Sequence, residues 1–327
     1  MKKNKTRNYK KVGITILNLI LMFLAWGYLY AQIKNHPSFF LQITDLYVKL
    51  QKNKAILLVI CLLMVVNWLL EAKKWQVLIS PLAKINLLES LQSVWVGLSL
   101  ATFLPLGNYL GRAKNLPQKN RFDSAGALLV GGGLQFWVTM LGGIFGISQF
   151  FELNTSVSFL LLASWIMIYV VGLFLYNNLV FSKDENLRND EIKTIKESLR
   201  GNIIFWLQKN LHYASQYSKK EILKVTLFAL LRYFVFIVQM ILIFKASSFL
   251  LSPQKIIVGS SLLFVAKSVL PVGGFLVGLS VREATALYFF SSLGEEKIVT
   301  ITFLLWVINI GFPTLVGSVL LLKIKNN

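Results

Sequence analysis

Cysteine is almost missing from this chain. Cys61 stands alone among 327 residues, so no internal disulfide can staple the fold. It sits inside an apolar run, where a lone thiol serves as a small packing group. Histidine is nearly as scarce: His36 and His212 lie in polar stretches with no metal-ligand spacing around either, so no metal site is expected. Acid is also short, with 14 Asp and Glu against 34 Lys and Arg, for a formal charge of +20. Only Glu71, Glu89, Asp123 and Glu283 lie close to apolar runs, and they form no compact acidic motif of the kind that metal or general-base enzymes carry. No catalytic residues and no cofactor are expected. Charge as a whole is thin, at 15% of residues where soluble domains average about 25%. The basic residues fall between long apolar runs, not along one face of a soluble fold, which argues against a nucleic-acid partner.

Apolar length is what remains. The chain is 55% hydrophobic with a mean hydropathy of +0.63. Six basic residues precede an uncharged run over 12–32, long enough for an uncleaved anchor helix, with no small-residue cleavage site after it. Over 38–54, Phe39, Phe40, Ile43, Leu46, Tyr47 and Leu50 recur at helical spacing among polar residues, which predicts an amphipathic helix at the membrane interface. Apolar segments follow at about Ala55–Leu70, Ser93–Pro105, Ala125–Phe150, Val157–Phe181, Val225–Phe244, Ile256–Val281 and Ile298–Leu322, with a shorter one at Ala284–Leu293. The charged stretch 182–224 is too short to hold a core of its own and reads as a cytoplasmic loop. The expected fold is an all-α polytopic membrane protein, a single integral membrane domain over 1–327 with about six to eight transmembrane helices.

The distribution of Lys and Arg predicts topology. With a cytoplasmic N-terminus, and with the segments at 93–112 and 256–293 each entering and leaving on one side, 24 basic residues fall in cytoplasmic regions and 8 in outer loops. Both termini are then cytoplasmic, and the expected location is the plasma (inner) membrane.

The two interrupted segments echo each other. Leu104-Pro105-Leu106-Gly107-Asn108-Tyr109-Leu110 aligns with Leu270-Pro271-Val272-Gly273-Gly274-Phe275-Leu276. Proline removes a helix hydrogen bond and glycine admits other angles, so Pro105, Gly107, Pro271, Gly273 and Gly274 mark breaks in re-entrant, inverted-repeat segments. Charges stand where lipid would be. Arg232 lies eight residues into its apolar segment and Lys267 four residues before Pro271. A central Arg costs about 2.5–3.5 kcal/mol on insertion scales, so it needs a partner, a watery cavity or a snorkelling route to the surface. Glu71 ends the second apolar run, where it also reads as an interfacial boundary paired with lysine. Arg112 and Arg282-Glu283 follow the two breaks. A basic lining of Arg112, Arg232, Lys267 and Arg282, with Asn108, Glu71 and Glu283 beside it, would select an anion. In a bilayer the nearest candidates are phosphate-bearing lipids.

The order of these motifs resembles a known family. Asn67-Trp68-Leu69-Leu70-Glu71-Ala72-Lys73-Lys74-Trp75 is similar to the end of the second helix in the flippase-like family of the lysylphosphatidylglycerol synthase transmembrane region. The resemblance continues from Gly97 to Arg112, at Leu270-Pro271 with Val281-Arg282-Glu283-Ala284, and at Trp306-Val307-Ile308-Asn309 with Pro313 and Gly317. It spans about residues 12–322. Two departures stand out: the first Pro-Gly loop is two residues shorter, and Asn108 occupies the place of the family's glutamate, so a role needing a carboxylate there does not carry over. The resemblance covers the membrane region, not an aminoacyl-transfer domain. It implies translocation of an anionic phospholipid or lipid-linked precursor between leaflets. Two other classes stay open: a non-transporting scaffold or accessory for an envelope-lipid or glycan enzyme, and a membrane glycosyltransferase.

Overall fold

An unpaired backbone amide is costly in hydrocarbon, and a long apolar run satisfies its own amides only as a helix. A computed structural model describes residues 39–104, 106–114, 116–181, 216–247, 251–269, 282, 284–291 and 294–323, and every regular element among them is helical. In chain order these are α1 (Phe39–Lys52), α2 (Lys54–Ile79), α3 (Leu87–Phe103), α4 (Gly107–Lys114), α5 (Ser124–Phe150), α6 (Thr155–Phe181), α7 (Lys219–Ala246), α8 (Pro253–Val269), α9 (Glu295–Trp306) and α10 (Phe312–Lys323). A π-helical turn, Val307–Gly311, joins the last two. Among the described residues, five stretches are long and apolar enough to cross a membrane: Lys54–Ile79, Ser124–Phe150, Thr155–Gly172, Lys219–Ala246 and Lys297–Leu322. The expected anchor over 12–32 and residues 182–215 of the expected loop over 182–224 lie outside the described residues; the end of that loop is instead helical, because Ser218 caps α7 and residues 219–224 form its first turns.

Local chemistry sets the boundaries. Asn86 and Ser218 each open a helix with a capping box: their side chains accept from the backbone N–H of Glu89 and Glu221, whose carboxylates accept from the cap N–H in return. Glu89, one of the four acids near the apolar runs, is therefore occupied as a helix cap. The amphipathic α1 turns Leu46 and Leu50 inward against Ala246, Ile56 and Leu304, while Asp45 and Lys49 pair on its exposed side.

The segment 93–112 folds as a helical hairpin. The α4 helix turns back along α3, and glycines let the backbones nearly touch. A Cβ on Gly107 would lie 2.1 Å from the Leu100 carbonyl, and one on Gly111 would lie 2.4 Å from the Gly97 Cα. Gly317 performs the same service between α10 and α3, where a Cβ would sit 2.1 Å from the Trp95 carbonyl oxygen. The counterpart break at 270–281 is outside the described residues.

The two largest apolar cores among the described residues lie in different parts of the bundle. One gathers Trp75, Leu78, Ile79, Val94, Ala127 and Val225; the other gathers Ile60, Ile243, Phe244, Phe290, Ile298 and Ile301. The α6 helix is peripheral, held by Trp137 stacked on Tyr169 with ring centroids 4.4 Å apart and by a 2.6 Å hydrogen bond between the Tyr169 and Thr226 hydroxyls. Its outer residues, including Phe159, Leu160 and Met167, are exposed apolar surface, as a helix against lipid requires.

Candidate functional site

In α2, Asn67, Trp68, Glu71, Lys74, Trp75 and Leu78 recur at three- and four-residue spacing. That spacing places them on one helix face, and all six are buried. Apolar Leu62, Val65, Val66 and Leu69 take the outer face. The helix does not end at its charged triplet, as an interfacial boundary would. It continues inward-facing to Ile79, with Lys73 outside and Glu71 and Lys74 inside.

Three cations converge on Glu71. Lys74 Nζ lies 2.7 Å from Oε2, Arg112 Nη2 lies 2.7 Å from Oε1, and Arg232 Nη1 donates to Oε2. The Nε of each guanidinium also has a partner. Arg112 Nε donates to Asn108 Oδ1 at 2.8 Å, and Arg232 Nε donates to Asn67 Oδ1 at 2.9 Å. Lys74 and Arg232 both approach Gln135 Oε1 on α5 at 3.4 Å. Aromatic faces complete the wall, with Arg112 5.1 Å from the Trp75 ring and Arg232 5.8 Å from the Trp68 ring. Three elements thus meet at one carboxylate, α2, α4 and α7, and α5 joins them through Gln135.

The charge does not balance. Glu71 offers one negative charge to three positive ones whose side chains are all about nine-tenths buried. Burying an ion costs several kcal/mol even after relaxation, and one carboxylate cannot repay three. The surplus is met by open space. A cavity of about 460 Å³ is lined by Glu71, Lys74, Asn108, Arg112 and Arg232, and a second of about 380 Å³ by Arg232, Lys267, Arg282, Tyr233 and Asn309. Arg232 lines both, as do Trp68, Gln135 and Ser268. Glu71 is the single acid lining either cavity among the described residues. A set this cationic repels a metal ion and attracts an anion.

Of the residues singled out in the sequence, Glu71, Asn108, Arg112 and Arg232 form one contact network, and Lys267 and Arg282 line the cavity adjoining it. Gly107 lies in the α3–α4 hairpin. Pro105, Pro271, Gly273, Gly274 and Glu283 are outside the described residues. The snorkelling route considered for Arg232 is not taken: the side chain is 11% exposed and is spent on Glu71 and Asn67. The network also includes Asn67, Lys74 and Gln135, which the sequence reading had not placed in a site. Asn67 and Lys74 carried a signal, since they share the helix face of Glu71. Gln135 carried only its polarity within an apolar run.

The π turn connects this network to the last helices. It positions Asn309 so that its backbone carbonyl accepts from Trp68 Nε1 at 3.0 Å, one turn from Glu71. Comparison of the chain with known protein families, curated proteins and solved structures finds no match, and the resemblance to the flippase-like family rests on the residues quoted above.

Proposed function

We propose that this chain is a flippase-like membrane translocator, carrying an anionic phospholipid or lipid-linked precursor between leaflets by its phosphate. The observation that supports this reading is the surplus of buried positive charge on Arg112, Lys74 and Arg232, open to two cavities that share Arg232. Guanidinium groups bind phosphate oxygens with charge-assisted hydrogen bonds worth about 1.5–3 kcal/mol each. A phosphate entering the cavities meets cations that are already desolvated, so it need not pay to strip them of water. The α3–α4 hairpin, read as re-entrant, would bring Arg112 to membrane depth. The sequence resemblance points the same way.

The test is reconstitution of the full chain into liposomes carrying a fluorescent anionic phospholipid, with leaflet exchange followed by quenching from outside. Exchange above that of empty liposomes, lost in Arg232→Gln at equal protein level, supports the reading. No exchange above background sinks it. A second reading is a non-transporting scaffold, favoured by one observation: Glu71 already pairs with Arg112, Lys74 and Arg232, as in a purely structural ion cluster. On that reading Arg232→Gln lowers stability and no exchange is seen in any variant.

A further inference from the structure

The glycines of α5 fall into two groups. In its second half, a Cβ on Gly142 would strike the Tyr233 ring, one on Gly143 the Val265 side chain, and one on Gly146 would sit 3.1 Å from the Ser261 Cβ. Close helix packing accounts for each of them. In its first half, a Cβ on Gly132 would meet nothing within 4 Å among the described residues, and Gly132 is exposed. A glycine inside a helix is destabilising relative to alanine, and no described contact requires this one.

Gly132 borders the 460 Å³ cavity, and so do Leu128 and Phe136. The three stand four residues apart, in a row running up the helix. On one side of the row, Ala127 and Gly131 line the same cavity and are buried. On the other side, Leu129 and Gly133 line neither cavity and are exposed, Leu129 at 50%. The row is the edge at which cavity lining gives way to outer surface, and Phe136 on it is itself 41% exposed. An edge running along a helix means that the cavity opens sideways, out of the bundle. Eight residues at a rise of 1.5 Å make the slit about 12 Å long, reaching from near one end of α5 to its middle. Its far wall is the α3–α4 hairpin, which contributes Ala101, Asn108 and Arg112. Charge lies close behind the edge: a Cβ on Gly131 would be 3.9 Å from Lys74 Cε.

The slit thus joins two solvents. Inside stand Lys74, Arg112 and Arg232 around Glu71, and outside is the apolar surface of a helix long enough to span a bilayer. An occupant that suits both sides has an anionic end and an apolar end. We infer that the slit between α5 and the α3–α4 hairpin seats a phosphate-bearing lipid edge-on: its phosphate lies among these cations while its acyl chains run out past Gly132 into the bilayer. This rests on the proposed binding of a lipid phosphate and adds where the tails go. They never leave hydrocarbon, and only the headgroup enters the protein.

The full chain in liposomes is exposed to a trace of phosphatidylglycerol or of neutral diacylglycerol, each carrying a diazirine in its acyl chain. After illumination, mass spectrometry locates the labelled residues. The two probes share their tails and differ by the phosphate-bearing headgroup. Label on α6 at Phe159, Leu160 and Met167 reports ordinary lipid contact and sets the scale. Against it, label over 128–136 should favour phosphatidylglycerol roughly tenfold, the worth of one charge-assisted contact. Gly132→Leu places a branched side chain in the slit and should remove that preference together with lipid exchange. Gly172→Leu fills an equally open glycine on α6, away from both cavities, and should leave the preference and exchange unchanged. The wild-type ratio decides the matter even if a variant fails to fold. Equal labelling by the two probes overturns the inference and leaves the cations to a soluble anion or to Glu71 alone; exchange that persists would then follow another route. A preference that survives in folded Gly132→Leu also overturns it. A preference without exchange supports the seated lipid and removes only the translocator role.

Discussion

The Arg112 guanidinium meets the Glu71 carboxylate at 2.7 Å across 41 residues of chain, with the Trp75 ring 5.1 Å from the same guanidinium. That bond adds a charged tie between α4 and α2 to the Ser90 hydroxyl's hydrogen bond to the Ala72 carbonyl, and the carboxylate that makes it also anchors Arg232 from α7. The hairpin and the long helices share a single electrostatic joint.

Removing that joint should be expensive. Glu71→Gln leaves three buried cations without their acid, and stripping one partner from a buried ion cluster costs about 3–5 kcal/mol. Thermal unfolding in detergent should show a clearly lowered midpoint. The double variant Glu71→Gln with Arg232→Gln should recover part of the loss, because one of the unpaired cations goes with it. A single variant with an unchanged midpoint would contradict the buried placement of Glu71.

Arg232 uses two different nitrogens on two different partners, Nε on Asn67 and Nη1 on Glu71. A lysine has one point of attachment and cannot serve both. Arg232→Lys should therefore behave like Arg232→Gln in lipid exchange, with a loss of roughly tenfold to over a hundredfold for each charge-assisted contact removed. Exchange close to wild type in the lysine variant would show that a point charge suffices.

Glycine substitutions should split by sign. Gly317→Ala drives a methyl to 2.1 Å from the Trp95 carbonyl oxygen, and overpacking of this kind costs about 1–3 kcal/mol. Gly132→Ala places its methyl where nothing lies within 4 Å, inside α5, and should stabilise by about 0.5–1 kcal/mol through helix propensity alone. Unfolding midpoints of the two variants, compared with wild type, check both directions at once.

Topology is open to direct measurement. Reporter fusions after Lys119, after Leu187 and at Asn327 should read cytoplasmic, and one after Asn154 external, following the excess of Lys and Arg. An external reading at Leu187 would invert the arrangement, because the largest basic loop is assigned there.

The helices were legible because apolar length and helicity are the same statement in a bilayer. The apolar run from Ser93 and its interruption before Gly107 were marked in the sequence, whereas the short helix Gly107–Lys114 packed back along α3 was not. Helix ends were less legible. The run closing at Leu70 continues to Ile79, since Glu71 and Lys74 neutralise each other at i,i+3 and turn inward, which a count of charges reads as a boundary. Likewise α7 begins at Lys219, six residues before its apolar run, because a capping box at Ser218 carries the polar turn. The site was legible as a list of misplaced charges but not as a cluster. Arg232 and Glu71 are 161 residues apart, and no local pattern says that they meet.

The π turn at Val307–Gly311 has a bearing on insertions and deletions. Each residue of a helix advances its face by about 100°, so removing any one residue from this turn would rotate α10 by that much against α9. Gly317 would swing away from the Trp95 carbonyl, and Ser318 away from the Ser99 hydroxyl that it meets at 2.7 Å. Spacing through these five positions is thus a stricter variable than side-chain identity: a conservative exchange at Ile308 repacks locally, while a one-residue gap re-aims an entire helix.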